Sequence, residues 1–138
     1  ELLHALKFAA ERGVDVSIIM PGIPDKKSAY YLAKTYYPTL LESGVKIYEY
    51  TPGFVHAKIF VSDNSRAVVG TINLDYRSLY HHFECATYLY RTLSVVSIEE
   101  DFQATKAKCH RVSVAEIENL PFHQKALGLL TRLVAPLM

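Results

Sequence analysis

The stretch Val55-His56-Ala57-Lys58-Ile59-Phe60-Val61-Ser62-Asp63 sets a histidine and a lysine two residues apart, with an aspartate five residues beyond the lysine. Its apolar residues read as a strand, in which positions i and i+2 share a face. On that reading His56 and Lys58 point the same way, with Ala57 and Ile59 opposite. A nucleophile or general base beside a fixed cation suits chemistry on an anionic centre such as a phosphoryl group. An imidazole titrates near neutrality, so a histidine here can attack or carry a proton.

Downstream, Asp63-Asn64-Ser65 is turn chemistry, and Ala67 to Val69 is expected to pair back as a hairpin partner. Gly70-Thr71-Ile72-Asn73 follows, and Glu84 comes eleven residues after Asn73. Lys58 and Asn73 can donate to the non-bridging oxygens of a phosphoryl group, and the Thr71 hydroxyl can assist. Glu84 is the candidate to hold the other ring nitrogen of His56 and fix its tautomer. Asp63 suits a structural role, capping the turn. Each residue alone has an ordinary packing, turn or surface role. Their joint spacing, which no packing argument requires, marks a site.

Upstream, Leu2, Leu3, Leu6, Ala9 and Ala10 recur at helical spacing up to Gly13, and Val14 to Met20 reads as a buried strand. Asp25 is expected to cap a helix carrying Tyr30, Tyr31, Leu32, Ala33, Tyr36 and Tyr37, restarted at Pro38 and ended at Gly44. Val45 to Tyr50 is a second strand, and Glu84 to Tyr90 another. Ser97-Ile98-Glu99-Glu100 matches a capping box and is expected to open a helix running to about His110. Ser113-Val114-Ala115-Glu116 is a second such box. Leu127, Leu130, Leu133 and Val134 mark one face of a last helix, stopped by Pro136. The Leu-rich end, Leu127 to Met138, reads as a helix docked on the domain, with an amphipathic membrane patch as the alternative. The order predicts an α/β fold, a mixed β-sheet flanked by helices.

A chain of 138 residues is one domain's worth, taken as 1–138, and long enough for a core. Its net charge of +1 gives no global drive toward nucleic acid, so any basic site must be local. Cys85 and Cys109 have no metal-type spacing, which favours a reduced compartment. No apolar run approaches the roughly 20 residues that span a bilayer. The chain opens at Glu1 inside a helical pattern, as a piece of a longer protein would.

His56-x-Lys58-x-x-x-x-Asp63 followed by Gly70-Thr71-x-Asn73 resembles the HKD motif of the phospholipase D superfamily. The likeness is nearer still to bacterial cardiolipin synthases. It runs through Gly44-Val45-Lys46-Ile47-Tyr48-Glu49-Tyr50, Pro52-Gly53-Phe54, Ile72-Asn73-Leu74-Asp75, Arg77-Ser78 and Leu133-Val134-Ala135-Pro136-Leu137. The resemblance implies a phospholipase D-like fold, with His56 as the nucleophilic or acid/base histidine and Lys58, Thr71 and Asn73 on the phosphate. It also implies Glu84 as the orienting carboxylate and Asp63 as structural. Chemistry without metal or cofactor is implied, in which one histidine attacks a phosphodiester and a second protonates the leaving alcohol. The product would be cardiolipin and glycerol, made from two phosphatidylglycerol molecules through a phosphohistidine.

Such enzymes carry two HKD motifs, and this chain has one. His4, His110 and the rest lack a lysine two residues on, while His123 has Lys125 but no following Asp or Asn at the right spacing. The expected status is therefore a single HKD half, the carboxyl-terminal half of a two-motif enzyme, inactive or weakly active alone. Its partners would be phosphatidylglycerol or a related phospholipid, a membrane surface, and the amino-terminal half or a second copy. The alternative is a homodimeric phosphodiesterase or nuclease, but the near-neutral charge argues against nucleic acid. The resemblance puts the intact enzyme at the cell membrane, with this piece soluble on its cytoplasmic side.

Overall fold

The computed structural model describes residues 1–137. Helix α1 (Leu2–Glu11) leads into strand β1 (Ser17–Pro21), then helices α2 (Lys27–Lys34) and α3 (Tyr37–Glu42) and strand β2 (Lys46–Tyr50). Strands β3 (Ile59–Ser62), β4 (Arg66–Gly70) and β5 (Ala86–Tyr90) follow, with a π-helical turn at Arg77–His81 before β5. Helix α4 (Leu93–Lys106), strand β6 (Cys109–Arg111), helices α5 (Val114–Glu118) and α6 (Phe122–Val134) and a 3-10 turn close the chain.

The strands form two three-stranded sheets. In the first, β1 runs parallel to β2, and β6 pairs antiparallel along the other edge of β2. The second is an antiparallel meander, β3-β4-β5. Burial is deepest on one face of the first sheet. Ile47 is fully buried there with Tyr37, Leu40, Val45, Val112 and Ile117, and Leu3, Leu6 and Ala10 of α1 pack against them. Residue 48 must face the other way, and Lys106 of α4 lies 5.8 Å from the Tyr48 ring centroid. Helices thus cover both faces of β2. Helix α4 also packs on β3, β4 and β5 through the wholly buried Val95, so it fastens the two sheets together.

The α/β architecture with flanking helices stands as the sequence predicts, and Pro38 opens α3 near its first turn. Three local readings change: where α4 starts, where it ends, and what caps α2. Helix α4 starts at Leu93, a turn before Ser97, because the buried Val95 belongs to its first turn. It ends at Lys106, and Cys109–Arg111 leaves it to pair with the open edge of β2, a pairing the polar sequence does not signal. The Ser113 box does form, with reciprocal bonds between Ser113 and Glu116. Helix α2 begins after Lys26 without a side-chain cap, so Asp25 does not serve as one. Met138, the end of the Leu-rich stretch, lies outside the described residues.

Gly70 of β4 stands opposite Ala86 of β5, where the two backbones lie close. A Cβ there would sit 2.2 Å from the Cys85 carbonyl oxygen and 2.6 Å from Ala86. Backbone cannot yield as a side chain does. Gly70→Ala is expected to cost about 2–3 kcal/mol, read as a lowered urea midpoint at unchanged slope.

Candidate active site

Antiparallel pairing brings the start of β3, the end of β4 and the start of β5 to the same end of the second sheet. Gly70 N–H donates to Lys58 O (3.2 Å), and Thr71 N–H donates to Cys85 O (3.0 Å). Those two bonds draw Lys58, Thr71 and the residue before Cys85, Glu84, to one rim. His56 lies two residues beyond Lys58, in the lead-in to β3 and not in the strand itself. The ladder stops there because its partner strand ends at Gly70 and the chain turns its next amide to Cys85 instead.

His56 is exposed, its ring stacked on Phe54 at 5.8 Å and 17°. The Lys58 ammonium donates to His56 O at 2.7 Å, so the cation is folded back beside the histidine. With three donors in all, it keeps two for a ligand. Asn73 lies two residues past Thr71, also exposed.

Glu84 is tied to Thr71. The Thr71 hydroxyl donates to a Glu84 carboxylate oxygen and accepts from Cys85 N–H at 3.1 Å. The bonds from Thr71 and then Ser78 hold the Glu84 carboxyl below its usual range against the opposing effect of burial, with the Lys58 charge a smaller contribution. Thr71 is the nearer donor to the Glu84 carboxylate, and among the described residues the His56 ring is not one of its partners. A hydroxyl has one proton, and Thr71 gives it to Glu84. Lys58 and Asn73 remain the side chains with donors to spare.

Two further side chains stand at the rim. Ser78 is buried beneath the π-helical turn, whose start Asp75 caps by accepting from Ser78 N–H at 2.8 Å. His82 accepts from Arg77 Nε at 2.9 Å and lies near Glu84. The Asp three residues before Ser78 is a capping pattern that could have marked the turn. Nothing in the sequence tells that the turn folds under the rim.

Asp63 stands at the opposite end of β3. Asp63 and Asn64 both have positive φ (52° and 50°), and Ser65 N–H donates to Ser62 O at 3.1 Å to close the turn. Asp63 also accepts from the Ser62 hydroxyl (3.1 Å) and faces Arg66 at 3.7 Å. Two surface grooves, lined by Leu129, Leu130 and Leu133 and by Lys46, Arg111 and Ser113, lie away from His56. Among the described residues no three His, Cys, Asp or Glu side chains converge as a metal site requires.

Residues 1–106, which include the whole of this rim, match the family model described as cardiolipin synthase, phospholipase D-like domain. The chain belongs to that family. The cardiolipin synthase of Alkalihalophilus pseudofirmus is 40% identical over all 138 residues, and that of Halalkalibacterium halodurans is 41% identical. An uncharacterized protein of Streptococcus mutans is 62% identical, again over the whole chain. These alignments cover 27%, 27% and 30% of the relatives, so the chain spans less than a third of their length. In fold it is similar to Nuc, a phospholipase D family member from Salmonella typhimurium, at a TM-score of 0.69 and 22% identity. That likeness covers 80% of this chain and 72% of Nuc. Among the described residues of this cardiolipin synthase-like domain, no helix is long and apolar enough to cross a membrane.

Two measurements test the geometry. Thr71→Val should raise the Glu84 pKa toward the usual carboxylate range, followed by NMR titration of its side-chain carbon. Because the folded pKa is depressed, the stabilisation from Glu84 is present at neutral pH and is lost as pH falls through that lowered value. The variant should therefore show a flatter loss of stability on acidification. At the far end, Asp63→Ala should lose about 1–2 kcal/mol, since alanine tolerates positive φ poorly. Asp63→Gly should melt close to the wild type.

Proposed function

We propose that this domain supplies one of two HKD half-sites for phosphatidyl transfer between two phosphatidylglycerol molecules, in a longer enzyme of the cardiolipin synthase type. One observation carries the reading: the antiparallel meander gathers Lys58, Thr71 and Glu84 at a single rim, beside an exposed and unburdened His56.

In the first half-reaction an imidazole nitrogen forms a bond to phosphorus while the bond to the leaving glycerol oxygen breaks. A second histidine, from another half-site, gives that oxygen its proton. In the second half-reaction the primary hydroxyl of another phosphatidylglycerol attacks phosphorus and gives its proton to the same second histidine. The phosphorus–nitrogen bond then breaks, leaving cardiolipin, with glycerol already released. His56 is one member of the pair. Lys58 and Asn73 are assigned to the phosphoryl oxygens, whose charge grows in the transition state. Thr71, expected from sequence to bind phosphate, is assigned first to holding Glu84. Glu84, fixed as an anion, stabilises the positive charge that an imidazole gains when it bonds to phosphorus or takes a proton. The phospholipid substrate puts the intact enzyme at a membrane surface. The partner histidine belongs to another part of the longer chain, or to a second copy about a two-fold axis.

His56→Ala in the intact enzyme should lower turnover by on the order of a thousandfold or more, with the melting temperature preserved because the side chain is exposed. Acid-quenched enzyme mixed with labelled phosphatidylglycerol should yield a phosphohistidine. Label on His56 makes it the nucleophile, and label on another histidine makes it the leaving-group acid. Robust transfer by a monomer of the 138-residue chain would contradict the half-site reading.

A further inference from the structure

Helix α6 packs inward through small residues. Gly128 and Thr131 are buried, and a Cβ on Gly128 would lie 2.7 Å from Thr35 Cγ2 and 2.9 Å from Tyr31 O of α2. Such close backbone contact fixes which side of the helix faces the domain. The opposite side carries Phe122, Ala126, Leu129, Leu130 and Leu133, at i, i+4, i+7, i+8 and i+11, a single stripe on a helix. It is not covered: Phe122 is 85%, Leu130 63% and Leu133 80% exposed.

The charges around this stripe have one sign. Residues 119–138 contain no Asp or Glu, while Lys125 and Arg132, seven residues apart, line one flank of the stripe and His123 the other. Arg132 lies over the Tyr36 ring at 4.9 Å, which holds its charge at the stripe's edge. The chain just past α6 reaches the π-helical turn beside the active-site rim. His81, in the π-helical turn, is hydrogen-bonded to Pro136 O at 3.2 Å, joining the end of α6 to that turn. The turn and the residues after it expose Leu79, Tyr80 and Phe83, immediately before Glu84.

We propose that the outer face of α6 and the exposed π-helical turn form one docking surface for an anionic lipid bilayer, setting the His56 rim against the headgroups. An apolar stripe flanked by cations and free of acids is the pattern of a helix lying in the bilayer interface. A two-fold contact through this stripe would set the Lys125 and Arg132 flank of one copy against the same flank or the His123 flank of the other, with no acidic complement on either. The use of the surface, delivering phospholipid to His56, rests on the reading above; the surface itself rests on α6.

The test is sedimentation of the 138-residue chain with vesicles of phosphatidylcholine alone or mixed with phosphatidylserine. Phosphatidylserine is anionic but is not the proposed substrate, so binding is read apart from turnover. The wild type should bind the mixed vesicles roughly ten- to thirtyfold more tightly than the neutral ones. The double variant Leu130→Glu, Leu133→Glu should lose about tenfold or more on the mixed vesicles, with an unchanged circular dichroism spectrum. His56→Ala should bind as the wild type does. Binding by the 138-residue chain that persists while the intact enzyme yields no phosphohistidine on any histidine would leave the surface standing and sink the catalytic reading. A wild type that stays in the supernatant, or a double variant that binds equally well, overturns the surface. So does a dimer on sizing that the double variant splits, which would give the stripe to a second copy.

Discussion

The rim holding the candidate catalytic residues depends on how closely β5 approaches β4 at Gly70. Only a hydrogen atom fits between the Gly70 Cα and the Cys85 carbonyl. With the strands that near, one residue pair places two amides in succession. Gly70 N–H reaches Lys58 on one side, and Thr71 N–H reaches Cys85 on the other. The backbone therefore brings three segments, distant in sequence, to one line before any side chain contributes. A larger residue would push β5 outward and carry Glu84 away with it.

On that line the electrostatics follow from proton counting. Thr71 has one proton to give and gives it to Glu84, while its lone pairs take up the Cys85 amide. Glu84 thus remains an anion, helped by Ser78 and by the Lys58 charge. Among the described residues, His56 is held through its backbone carbonyl and its stack on Phe54, and its ring nitrogens are left open. A rigid anion and cation beside an exposed imidazole form a prepared surface that is open on one side. This suits a half-site completed by another histidine, since an already enclosed pocket would leave no room for it.

The two sheets divide the work. The first, clasped between α4 and the α1, α3 and α5 layer, holds the fully buried Ile47 and most of the core. It also buries a polar group at modest cost: the Tyr37 hydroxyl donates to Glu49 at 3.2 Å, and Lys34 neutralises that carboxylate at 3.3 Å. Burial and the neighbouring Glu49 charge push the Tyr37 pKa up, so the phenol stays a donor. The second sheet has β5 almost entirely exposed and relies on α4 for its attachment. Stability is concentrated in one sheet and chemistry at the edge of the other.

By itself the sequence picked out candidate residues for phosphoryl chemistry and the local elements with strong signals. His56, Lys58, Asn73 and Glu84 stood out because their types and spacing serve a phosphoryl group. The Asp63-Asn64 turn and the Ser113 box were legible because each is made by side chains bonding to backbone within four residues. The tertiary structure alone decided that Glu84 meets Thr71, that His56 stands outside the ladder, and that Ser78 and His82 join the rim. It also decided that α4 begins early around Val95 and that β6 forms on the free edge of β2. The physical reason is range. Spacing along a chain specifies neighbours within a turn or strand, whereas these contacts depend on which strand edges remain open and how closely two backbones can approach once the core has closed.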